Sequence, residues 1–279
     1  FTNIMKRIVY IYLFLLCSAL QAQSFGQNKV QYRDFEWSFI SSPNFDVYYY
    51  GDELELATFT MEAANEAYEQ IAKHLRWNLK KRVPILVYHS HNEFQQNNAV
   101  GVYMSEGIGG VTELFKNRVV IPFEGDYKAF RHVIHHELVH AVINDLIYGG
   151  RMNNVASGQV RWSIPLWANE GLAEYLSATW DTNSDMWIRD LVINYDQLPT
   201  INDLNGYLAY RGGQSVWRFI TSKWGEESIA EIFFHIDNKK NINQGLKSAI
   251  GIDLEELNNQ WRKYLKKEYW PDIQYRDDV

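Results

Sequence analysis

"HVIHHELVHAV", residues 132–142, holds four histidines and one glutamate in a run that is otherwise apolar. Residues 127–147 repeat apolar positions at a helical period, and Gly149-Gly150 follows as a stop signal, so the stretch is read as part of one helix. His136 and His140 are four apart and share a helix face, where two imidazoles can converge on one ion. Glu137 lies about 100° round the helix, placed to act as a base on water beside that ion without ligating it. His132 and His136 are also four apart, but Val133 follows His132 and leaves that pair without its base. His132 and His135 are therefore read as partly buried helix histidines or as contacts behind the ligands. Glu137 selects the His136/His140 frame.

Catalytic zinc usually keeps three protein ligands and one open position, so a third donor is needed. A third histidine six residues beyond His140, reached through a glycine three beyond, is excluded because those positions are Leu146 and Ile143. The next candidates are on the following helix, "LWANEGLAEY" (166–175), which presents Glu170 and Glu174 four apart on one face.

Around this pair the chain changes character. "FDVYYY" (45–50) and "VPILVYH" (83–89) read as strands, joined by an amphipathic helix over Leu54–Leu75. Strand, helix, strand is a crossover unit and predicts a partly parallel sheet. "EGIGGVTELFKNRVVIPF" (106–123) reads as a glycine turn and two short extended pieces, with Pro122 at an edge or strand end. Residues 24–44 are read as an aromatic arm, 151–163 as a polar loop, and Pro165 as the opening of the second helix. Helical pieces follow at 210–224, 226–236, 242–250 and 253–268. The expectation is an α+β fold, an α/β lobe over 23–150 and a helical lobe over 151–279, forming one domain.

"HELVH" with "LWANEGLAEY" downstream resembles the gluzincin metallopeptidases. The similarity is to the aminopeptidase N group and, more distantly, to thermolysin. That resemblance implies a zincin-like fold, Zn²⁺ as cofactor and a peptide or protein as substrate. It implies that Glu170 is the third ligand and that Glu174 orients a ligand histidine. "YLAYRGGQSVWRFI" (207–220) resembles a helix start whose tyrosine stabilises the oxyanion; Tyr210, three residues before Gly213, fits, with Tyr207 as the alternative. "GGVTE" (109–113) stands where such aminopeptidases carry a glycine-rich motif on the strand that pairs with substrate, which gives Glu113 the role of binding a substrate amine. The loop between His140 and Glu170 is longer than in either subfamily, and the chain looks most like peptidase-MA-like exported bacterial proteins. Some of those carry a TolB-like β-propeller after this domain, so a propeller or other envelope partner is expected, with its boundary near "YWPDIQYRDDV".

The start "FTNIMKRIVYIYLFLLCSALQAQSF" sets the expected compartment. From Met5 it shows Lys6-Arg7, an apolar run from Ile8 to Leu20, then small and polar residues, which is the grammar of a secretory signal over 1–22 with cleavage after Ala22. The run is short of the about 20 apolar residues a span needs, so no membrane span is expected after cleavage. Leu16 before Cys17 does not fit a lipidation signal. The destination is periplasm, cell envelope or medium. Cys17, the one cysteine, leaves with the leader, so no disulfide contributes to stability. With 27 basic and 34 acidic residues the charge is −7, and loss of Lys6 and Arg7 makes it −9, which argues against nucleic acid as a partner. The leading expectation is zinc-dependent peptide hydrolysis. The rivals are a catalytically silent envelope module on the same fold, and a zinc hydrolase of a non-peptide amide or ester.

Overall fold

The computed structural model describes residues 29, 31–99, 104–114, 116–149, 164–194, 198–239 and 241–274. The expected signal segment 1–22 and the polar loop 151–163 lie outside them. Five strands form one mixed sheet: β1 (Trp37–Ser41), β2 (Phe45–Tyr50), β3 (Val83–Tyr88), β4 (Val111–Glu113) and β5 (Arg118–Pro122). Its order is β1-β2-β3-β5-β4. β2, β3 and β5 run parallel, while β1 and β4 pair antiparallel at the two edges. The expected crossover is present, with helix α1 (Leu54–Leu75) joining the parallel pair β2 and β3. Pro122 closes β5, an interior strand, at the end where a missing N–H costs no ladder bond.

Successive strand residues face opposite sides of the sheet. Val119 and Ile121 enter the main core, whereas Val120 joins a smaller cluster with Tyr50, Tyr88, Phe94 and Met104. The arm expected over 24–44 is corrected in part, because Trp37–Ser41 is strand β1. A two-serine, half-exposed edge segment shows no clean apolar alternation, so its pattern did not announce a strand. Phe35 and Trp37 nonetheless pack their rings on Tyr50 and Tyr88.

The short α2 (His91–Phe94) follows β3, and α3 (Tyr127–Tyr148) follows β5. Asp126 caps α3 by accepting from the backbone N–H groups of Lys128 and Ala129. From Phe130 onward α3 is buried on most sides, against α1, the sheet and α4 (Leu166–Ser177). The remaining helices are α5 (Thr182–Asn194), α6 (Tyr207–Trp224), α7 (Glu227–Lys239), α8 (Ile242–Ile250) and α9 (Leu254–Gln274). The sequence pattern gave no sign of α5. It buries only Ser184, Ile188 and Leu191, too few for a visible apolar stripe.

α4 and α6 touch backbone to backbone. A Cβ on Gly213 would lie 2.2 Å from the Trp167 carbonyl oxygen, and one on Gly171 would lie 2.3 Å from the Gly213 carbonyl carbon. Both positions need glycine because there is no flexible side chain there to give way. Gly213→Ala is expected to destabilise the protein by about 1–3 kcal/mol. A thermal unfolding midpoint equal to that of the parent would contradict the close crossing.

Candidate metal centre

α3 and α4 bring together the histidines and glutamates read from the sequence. His136 Nε2 lies 3.2 Å from His140 Nε2, and each is 3.3 Å from Glu170 Oε2. These three form a group whose ligand atoms could hold one metal ion. Four-coordinate zinc with bonds of about 2.0–2.1 Å sets its donors about 3.3–3.4 Å apart, so the donor triangle fits such an ion without rearrangement. His136 and His140 are each 8% exposed, which gives the group dry surroundings open on one side.

Behind the triangle, Glu174 Oε1 stands 3.1 Å from His136 Nδ1 and 3.4 Å from His132 Nε2. The other Glu174 oxygen accepts from Arg211 Nη1 at 2.8 Å. His132, His136 and Glu174 are a second group with metal-ligand spacing. The guanidinium held on Glu174 opposes a cation there, so the His136/His140/Glu170 triangle is the better donor set. His132 instead braces Glu174. His135 points to a different cavity, beside Gln70, Trp180 and Arg218. Burial, then the neighbouring histidines, lower its pKa to about 4 and keep it neutral.

The electrostatics suit a cation. Burial pushes the Glu170 carboxyl up, but hydrogen bonds to His136 and His140 outweigh it and hold the group below the ordinary carboxylate range. Glu174 behaves in the same way through His132 and His136. Burial disfavours the His136 cation, yet Glu170 and Glu174 outweigh it and raise its pKa to about 10. A metal ion competes with that proton, so its uptake releases protons and weakens as pH falls.

Glu137, 6% exposed, is one step along α3 and faces the sheet edge. Thr112 of β4 lies with its hydroxyl 2.6 Å from Glu137 Oε2 and 3.0 Å from the Glu137 carbonyl oxygen. A Cβ on Gly110 would come within 2.9 Å of Glu137 Cγ, so only glycine lets the strand approach so closely. Gly110 and Thr112 belong to the "GGVTE" motif read from the sequence, but their contacts with Glu137 were not, because those exist only where β4 meets α3. Arg211 was missed because its pairing with Glu174 exists only where α6 packs on α4.

Tyr210, in the first turn of α6, stacks on the His136 ring with centroids 5.8 Å apart. Burial, then the charge and hydrogen bond of Glu170, push its hydroxyl up, so it stays protonated and able to donate. Tyr207 is 48% exposed and receives a hydrogen bond from Arg211 Nε at 3.2 Å. Of the two tyrosines, Tyr210 is the one joined to the triangle. Glu113 is not brought to it. It alternates with Thr112 along β4, and its carboxylate accepts from Arg118 Nε at 2.5 Å across the strand pair.

Two cavities flank the group. One of about 470 Å³ is lined by Thr112, Glu137, His140, Asn144, Asn169 and Glu170, among others. The other, of about 370 Å³, reaches from Gly109 and Gly110 past His132 and Glu174 to Tyr207. Both include Glu137, His136 and Tyr210.

A buried His/Glu group that could hold a metal ion lies on crossed helices, beside a cleft bordered by a sheet edge, as a candidate metallopeptidase site would. The chain belongs to the Peptidase MA superfamily, which matches residues 63–267 and so takes in every residue of the group. No curated protein matches it.

Proposed function

We propose that the protein is a zinc metallopeptidase of the gluzincin type, with His136, His140 and Glu170 as ligands. The observation that carries this reading is the donor triangle of 3.2–3.3 Å edges with Glu137 beside it. Bound there, zinc would supply Lewis acidity toward the scissile carbonyl and a water. Glu137 takes the proton from the attacking water and delivers it to the leaving nitrogen. Thr112 aims that carboxylate. Glu174, backed by Arg211, fixes the orientation of His136. Tyr210 donates its hydroxyl hydrogen to the developing oxyanion. Strand β4 is a sheet edge, with β5 as its one partner among the described residues, and holds substrate as an added strand.

The test is incubation of the zinc-loaded protein with a peptide mixture, products read by mass spectrometry, alongside chelator-treated protein. Hydrolysis is expected, ceasing on chelation and returning with one equivalent of zinc. Hydrolysis indifferent to chelation, or none at all, would sink the reading. Two variants probe the supporting roles. Tyr210→Phe is expected to lower kcat by about 100- to 1000-fold, the usual loss for an oxyanion donor. Thr112→Val removes a hydrogen bond to a charged group and is expected to lower kcat by about 10- to 100-fold, with Thr112→Ser restoring it. Parent-like kcat in either Tyr210→Phe or Thr112→Val refutes the role assigned to that residue.

We also propose export to the cell envelope or beyond, supported by the leader-like pattern of residues 1–22. Among the described residues no helix is long and apolar enough to cross a membrane.

A further inference from the structure

Resting on the peptidase reading above, we infer that the cleft takes an internal stretch of polypeptide and cuts it as an endopeptidase. Enzymes that trim chain ends need a fixed opposite charge for the terminal ammonium or carboxylate, set at one distance from the scissile bond. Among the described residues the carboxylates lining the two cavities are Glu137, Glu170 and Glu174, and no lysine or arginine lines either cavity. Glu170 is a donor of the triangle and Glu137 is the base. Glu174 is committed to Arg211, His132 and His136. Glu113, the acidic residue nearest along β4, is neutralised by Arg118. Among the described residues that line the two cavities, no charged side chain is left uncommitted to hold a chain end.

The cleft also continues past the centre in both directions. The larger cavity has an apolar wall of Met104, Ile108, Val111, Leu114 and Ile164. The smaller one leads to Tyr207, whose ring packs at 4.8 Å on Trp187; these two are 48% and 39% exposed. Apolar surface on both sides suits the side chains of an uncharged stretch and is poor company for a charged terminus. The segment 107–114 borders both cavities, so a chain laid along it passes Glu137 and carries on.

The experiment uses one pool of apolar-rich decapeptides in three forms: both ends free, N-acetylated, and N-acetylated with a C-terminal amide. Zinc-loaded protein is assayed on each and the bonds cut are read by mass spectrometry. Binding of the same three forms, fluorescein-labelled on an internal lysine, to Glu137→Gln protein is read by anisotropy. Cuts at internal bonds are expected in all three forms, with kcat/KM and Kd each agreeing within about threefold. Release of single residues from one end, with end-blocking lowering kcat/KM by about 100-fold or weakening Kd by about 10-fold or more, would overturn the inference and leave the peptidase reading intact. Hydrolysis of none of the three forms would defeat that reading and this inference with it.

Discussion

Glu137→Gln is expected to lower kcat for peptide hydrolysis by about 1000-fold or more, near the upper end for a positioned general base, while the protein still binds about one zinc per chain. The two halves of that result depend on separate features. Glutamine has nearly the same shape as glutamate, so the close approach of Gly110 and the contact with Thr112 survive. What disappears is the capacity to accept a proton. Zinc is retained because Glu137 is not a member of the donor triangle. Steady-state kinetics together with metal analysis reads both halves. Turnover within tenfold of the parent would remove Glu137 as the base, and loss of the metal would make it a ligand.

Glu170→Ala is expected to weaken zinc binding by more than about 100-fold, and so by more than the 10- to 100-fold that follows loss of a carboxylate behind a ligand. Glu174→Gln provides that milder case. Removal of Glu170 opens one corner of the triangle and takes away the charge that stabilises a cation between two histidines. Changing Glu174 leaves the corners in place and only loosens His136. Titration against a chromophoric chelator, with both variants measured in one buffer, ranks the two. Equal losses, or a larger one in Glu174→Gln, would exchange their roles.

The candidate donors were legible in the sequence because a helix converts spacing into direction. His136 and His140 share a face by being four apart, and Glu170 and Glu174 do the same on α4. That Glu170 meets both histidines while Glu174 meets Arg211 depends on how α4 crosses α3 and α6. Spacing alone left the two equivalent. Resemblance separated them, and the crossing at Gly171 and Gly213 gives the physical reason. Strands β2 and β3 and helix α1 were equally plain, since each buries a regular stripe. β1 and α5 bury too little to leave one. The α6 start was read at 210 but falls at Tyr207, which puts Tyr207 and Tyr210 in the same turn and Arg211 one turn beyond Tyr207. Glu113 is turned away from the His/Glu group because a strand turns alternate side chains to opposite faces, and Thr112 takes the face towards Glu137.

X-ray absorption at the zinc edge, on the parent and on His140→Ala, tests most directly where the ion sits. An ion held by His136, His140 and Glu170 shows two imidazoles in the parent and one, or no bound zinc, in His140→Ala. Two imidazoles persisting in His140→Ala would contradict the assignment and move the ion to His132, His136 and Glu174.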